Sequence, residues 1–158
     1  MTWRLTVRNA APPRSGLKVA VLIPTLDEEA VMLRQTLLAA MKMDYPHETW
    51  LLDDGNRPEM RRLAEELGCN YVARAKNTQA KAGSLNNALR YVDAEYVAIF
   101  DADHVPSRRF LTRTLGYFAD EHVAFVQTPQ DFYNLDSYQH RWDLSERAIW
   151  TEQALFFR

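Results

Sequence analysis

The stretch "YVAIFDADHVPSRRF", residues 96–110, runs an apolar segment into two carboxylates two positions apart, Asp101 and Asp103, and then His104. Side chains two apart on extended backbone point to one side, so these two meet as like charges. Neighbouring carboxylates resist joint ionisation unless a cation or hydrogen-bond donors compensate. A hard divalent cation, Mg²⁺ or Mn²⁺, held by few carboxylates and a diphosphate, turns that repulsion into coordination. His104 either completes such a shell or donates to a neighbouring carboxylate. The plainer alternative is that one aspartate caps the next helix and the other is solvated.

Two more acidic groups follow other apolar runs. Thr25 and Glu28 come after "LKVAVLIP" (17–24), and Asp53 and Asp54 stand in "LLDDGNRPE". Asp-Gly after a strand is ordinary turn chemistry, and one of the pair can cap the helix at Pro58; the other use is to hold a ribose or a base edge. "AKAGSLNNAL" (80–89) puts Lys81 and Gly83 at a helix start, which suits an anion, or serves only as a surface lysine and a packing glycine. The spacing of a P-loop is absent. "QTPQDFY" (127–133) adds Gln127 and Phe132, groups able to face a sugar or, for the aromatic, to pack in a core.

These residues need elements to hold them. Strands are expected at 17–24, 49–55, in "NYVAR", at 95–101 as a buried strand, and at "VAFVQ" (123–127). Helical periodicity begins at Asp27, with Ala30, Leu33, Leu37 and Met41 on one face and Glu28 and Glu29 in the first turn. Pro58 opens a second helix that Gly68 stops. Further helices are expected at 80–92, at 107–119 capped by Ser107, and over 136–158, where Tyr138, Trp142, Ile149 and Phe156 form an apolar stripe. Alternating β and α at this spacing means an α/β fold with a mainly parallel sheet covered on both faces. Ligands of such sheets bind at the carboxyl ends of the strands, where all three acidic groups fall.

Composition bounds the rest. The 158 residues suffice for one domain with a core, at 47% apolar and 25% charged, with net charge −2. That balance gives no case for nucleic acid or an anionic membrane. The single cysteine cannot close an internal disulfide. No apolar run approaches the roughly 20 residues that span a bilayer, and there is no signal peptide, so the chain alone reads as soluble and cytosolic. Residues 1–16 read as a lead-in or linker, and 17–158 as the domain. The ending "RAIWTEQALFFR", apolar and uncapped, suggests a fragment of something longer.

In this order, "VAVLIPTLDE", "LLDDG", "AKAGSLNNAL", "IFDADHVPSRRFLTRTLGYF" and "FVQTP" resemble the family-2 inverting glycosyltransferases with a GT-A (Rossmann-like) fold, most closely their bacterial cellulose synthase branch. The resemblance covers residues 17–158, the amino-terminal, nucleotide-binding half of such a domain. It implies that Asp103, with Asp101, helps hold a divalent cation on the diphosphate of a UDP-sugar. It places Thr25, Glu28, Asp53 and Asp54 around the uridine and Lys81 near the phosphates. The implied reaction is in-line attack of an acceptor hydroxyl on the anomeric carbon, extending a β-glucan from UDP-glucose. Family members carry transmembrane helices, a cyclic di-GMP-binding domain and a periplasmic partner subunit, which implies the cytoplasmic face of a bacterial inner membrane.

The chain departs from the pattern in places. Leu26 stands where an aromatic is common, and Gln79 and Gln130 where histidines are. The family's general base lies in a Thr-Glu-Asp; "TEQ" (151–153) has a carboxamide there, which cannot accept a proton usefully. "QHRW" (139–142) is one residue short of the acceptor motif. No catalytic base is therefore expected in this chain. Two alternatives stand beside this reading: a haloacid-dehalogenase-like phosphatase with Asp101 as nucleophile and Asp103 as acid, and a catalytically inert nucleotide-binding module.

Overall fold

The computed structural model describes residues 10–74 and 79–128. The chain divides into two compact units, Pro12–Gly116 and Met1–Ala11 with Tyr117–Arg158. The first holds the sheet.

Strand β1 (Val19–Thr25) is buried at every residue. Helix α1 (Ala30–Met41) returns to β2 (Glu48–Asp53), and α2 (Pro58–Leu67) leads to β3 (Asn70–Ala73). Then follow α3 (Ala80–Ala88), β4 (Tyr96–Ile99) and the short α4 (Phe110–Thr114), which tightens into a 3₁₀ turn over Leu115–Ala119. The four strands are all parallel, in the order β3-β2-β1-β4. Thr25 lies opposite Asp53, and Asp53 opposite Ala73, so the carboxyl ends form one rim.

Alternation along β1 feeds two cores. Val19, Val21 and Ile23 face Leu33, Leu37, Met60 and Leu63 of α1 and α2. Ala20 and Leu22 face Leu52 and Ala88 on the α3 side. Truncating a side chain as enclosed as Ile23 or Leu37 costs about 2–5 kcal/mol. Gly68 ends α2 in the left-handed conformation (φ 76°) that glycine adopts without strain, as its place after Leu67 requires.

Several expectations are corrected here. Residues 123–128 form no strand, and Phe125 is 78% exposed. Period-two apolarity gives a segment a face but not a ladder partner, and the ladder is what makes a strand. For the same reason β4 is only half buried: it is an edge among the described strands, with Val97 and Ile99 exposed. Glu28 and Glu29 precede the first turn of α1 instead of occupying it; Glu29 is the N-cap, and Glu28 folds back on the loop. The buried face of α1 runs through Leu33, Thr36, Leu37 and Ala40, leaving Met41 at the surface. Ser107 is not the cap of α4: the cap position is Arg109, and Ser107 contributes its carbonyl, to Phe110 N. The expected helix over 136–158 lies outside the described residues.

Candidate functional site

The loop after β1 is built around Glu28. Its Oε2 accepts from the Thr25 hydroxyl at 2.7 Å and from the Leu26 amide at 2.8 Å. Burial alone would raise this carboxyl, but the Leu26 amide and the Thr25 hydroxyl, with the Glu28 and Asp27 amides, hold it below its ordinary value.

The loop after β2 is built around Asp53, which is 1% exposed. Its Oδ1 accepts from Gly55 N at 3.0 Å and Arg57 Nε at 3.2 Å; its Oδ2 accepts from Arg57 N at 2.6 Å and the Tyr71 hydroxyl at 2.9 Å. Burial, then the bond to Asp53, pushes the Tyr71 hydroxyl up to about 12. Gly55 is required by closeness: a Cβ there would stand 2.6 Å from the Leu26 carbonyl and 2.9 Å from Arg57 Nε. Asp54 takes a bidentate fork from Arg74, Nε and Nη2 each at 2.6 Å, and Arg74 Nη2 also reaches the Ala80 carbonyl at 2.8 Å.

Helix α3 enters through two left-handed residues, Gln79 (φ 64°) and Ala80 (φ 43°). Non-glycine residues adopt this conformation at a cost, and such positions gather at functional sites. Lys81 follows and pairs with Asp101 Oδ1. Gly83 is buried with Ser84 and Ala88, so it serves packing.

After β4, Ala102 is buried, while the side chains of Asp101 and Asp103 are 46% and 66% exposed. His104 lies between them, Nδ1 3.8 Å from Asp101 Oδ2 and Nε2 3.8 Å from Asp103 Oδ1. Thr36 of α1 pins this turn from beneath, its hydroxyl donating to the Ala102 carbonyl at 2.7 Å. Among the described residues no group of three or more His, Cys, Asp or Glu side chains is arranged to hold a metal by itself. Two exposed carboxylates fit a cation that keeps waters and takes its other oxygens from phosphates, as Mg²⁺ and Mn²⁺ do.

The rim thus brings together Thr25, Glu28, Asp53 and Asp54, and beside them Lys81, Asp101, Asp103 and His104. Gln127 is exposed and belongs to the other unit, and Phe132 lies outside the described residues. Sequence reasoning missed Arg57, Tyr71 and Arg74. Arg74 follows the last residue of β3, so the rule that ligands meet the carboxyl ends of strands points to it. Arg57 follows Asp53 by four residues, but across a loop, where no periodicity marks it. A cleft of about 600 Å³ along β3, lined by Trp50, Tyr71, Tyr91 and Arg74 among others, shares only Arg74 with the ion pairs of the rim.

The family model described as Glycosyl transferase family 2 matches residues 20–158. The chain is 42% identical over 149 residues to a cellulose synthase catalytic subunit [UDP-forming] of Pseudomonas fluorescens, covering 92% of this chain and 20% of that protein. It is 44% identical over 158 residues to the corresponding subunit of Xanthomonas axonopodis pv. citri, covering 98% of this chain and 22% of the relative. The chain therefore spans about a fifth of the length of these two relatives. Among solved structures, the mannosyltransferase PcManGT from Pyrobaculum calidifontis, in complex with GDP-Man and Mn²⁺, aligns with TM-score 0.62 at 32% identity, over 78% of this chain and 40% of that one. The S. aureus TarS structure, at 23% identity and TM-score 0.57 over 72% of this chain and 23% of its own, shares the fold.

Proposed function

The chain belongs to glycosyl transferase family 2, and from that premise we propose that it carries the donor half of a site transferring a sugar from a UDP-sugar. The carrying observation is the rim itself: the Thr25–Glu28 loop, the Asp53–Asp54 turn and the Lys81–Asp101 pair stand side by side at the carboxyl ends of parallel strands. In this reading the uridine sits against Thr25 and Glu28. Asp53 contributes by holding its loop, and Asp54 by orienting Arg74.

Asp101 and Asp103 would hold the divalent cation, with His104 adjacent, and the cation would offset charge on the departing diphosphate. Lys81 adds a second positive charge to the same leaving group, once its pairing with Asp101 is exchanged for phosphate. An acceptor hydroxyl then attacks the anomeric carbon in line, the carbon–oxygen bond to UDP breaks, and configuration inverts. The general base is proposed to lie on a segment beyond this chain's motifs, and Gln127 and Phe132 are the residues proposed to serve the acceptor sugar.

The cellulose synthase relatives favour UDP-glucose as donor and a growing β-glucan as acceptor. By the family resemblance, the proposal extends to a membrane-associated whole protein with further domains and a partner subunit; no helix among the described residues is long and apolar enough to cross a membrane. The phosphatase alternative gains no support, since the Asp-Ala-Asp sequence follows the fourth strand and the family is that of glycosyltransferases.

Calorimetric titration of UDP into this chain, with Mn²⁺ and with EDTA, tests the reading. Binding that needs the cation and disappears in Asp103→Ala is the expected result. Binding indifferent to both EDTA and the substitution would remove the cation role of Asp101 and Asp103.

A further inference from the structure

Two loops of the rim converge on one side chain. Arg57 donates from its backbone N to Asp53 Oδ2 at 2.6 Å and from Nε to Asp53 Oδ1 at 3.2 Å. Its Nη1 donates to the Glu28 carbonyl at 2.8 Å, and its Nη2 to Thr25 Oγ1 at 2.8 Å. The last contact fixes a rotor. A guanidinium only donates, so the Thr25 hydroxyl must accept from Arg57 and direct its single proton elsewhere. That proton goes to Glu28 Oε2 at 2.7 Å. The orientation of the Thr25 hydroxyl, and with it that of the Glu28 carboxylate, is thus set from a loop that follows a different strand.

We propose that Arg57 is a positioning residue for the nucleoside of the donor: it fastens the Thr25–Glu28 loop to the Asp53 turn, so that the two form one seat before any ligand arrives. The inference rests on the donor reading above and adds the residue that assembles its site. The side chains of Arg57 and Asp53 are 17% and 0% exposed, so the fastening is shielded from competing water. Lysine keeps the charge but not the device. One ammonium on a flexible stem cannot reach three acceptors spread over two loops in fixed directions.

A residue serving only to neutralise Asp53 would behave differently, and charge retention separates the two roles. The experiment takes this chain with Arg57→Met and Arg57→Lys, follows amide hydrogen exchange by NMR, and titrates UDP in the presence of Mn²⁺. The expected result is exchange faster by about tenfold or more at the Leu26 and Gly55 amides, with Ala20–Ile23 of β1 unchanged. UDP affinity falls by about tenfold in both variants, lysine failing to restore it. UDP affinity unchanged in Arg57→Met, or restored by Arg57→Lys, would overturn the proposal. So would acceleration spread evenly over the sheet, which would make Arg57 a residue of the fold alone. If the wild-type chain binds no UDP while the loop amides still accelerate in both variants, the donor reading fails and the fastening stands.

Discussion

The side chains of Asp53 and Asp54 are 0% and 7% exposed, each gripped by an arginine, whereas those of Asp101 and Asp103 are 46% and 66% exposed, with Lys81 and His104 as neighbours. Four acids on one rim are thus handled in two ways. On the β1–β2 side every buried carboxylate is matched by protein donors, and among the described residues no buried side-chain nitrogen or oxygen lacks a partner. On the β4 side the charges stay largely in water, which leaves them matched only by an exposed lysine, Lys81 on Asp101, and by the nearby His104. Enclosing that second pair without a cation would carry a desolvation penalty of several kcal/mol per ion. The contrast suits a ligand with two unlike ends. In the proposed reading a planar base is recognised by shape and fixed hydrogen bonds, which reward rigidity; a diphosphate with its cation brings its own charge, and needs an open, acidic turn to complete.

The closed half can be broken without replacing a polar side chain. Gly55→Ala drives a Cβ toward the Leu26 carbonyl and Arg57 Nε, and is expected to cost about 3 kcal/mol, read from urea unfolding. An unchanged midpoint would show that the two loops are not packed as closely as this. The open half has a buried tie, Thr36 to the Ala102 carbonyl. Thr36→Val keeps the volume and leaves that carbonyl unpaired, for about 2 kcal/mol, with faster amide exchange confined to Asp101–His104.

The smallest effect sharpens the comparison through pH. The Tyr71 hydroxyl is pushed up to about 12 in the folded state. An unfolded chain releases this proton near pH 10, while the folded chain keeps it, so the contribution is complete below about pH 10 and is lost as pH rises toward 12. Tyr71→Phe costs about 1 kcal/mol at neutral pH, since Asp53 keeps three other donors, and its stability should fall less steeply than the wild type's between pH 10 and 11. Parallel slopes would mean that Tyr71 does not answer to Asp53.

Much of this was legible in the chain before its structure. Four strands, three of the helices and the grouping of acids at the strand ends follow from apolar runs, Pro58, Gly68 and the rule that parallel sheets present ligands at their carboxyl ends. What escaped were pairings across sequence. Nothing in "LLDDGNRPE" says that Arg57 turns back to Thr25, because a guanidinium's choice among acceptors depends on distances that only the folded loops set. Glu28 was expected in a helix and instead serves a loop, since two nearby donors outweigh the helix dipole. "VAFVQ" carries the pattern of a strand but not the evidence of a neighbour to pair with.

The strand order β3-β2-β1-β4 also sets a sequence of events in time. A nascent chain that has reached Arg74 already contains every residue of the enclosed seat: Thr25, Glu28, Asp53, Arg57 and Tyr71. The acidic turn waits for the 27 residues from there to Asp101, about 1–5 seconds of synthesis at typical rates. During that interval the outer edge of β1, the side that β4 later covers, is open to any other strand. The residues of the seat are made early, but the growing polypeptide carries an unprotected central strand until its fourth one emerges.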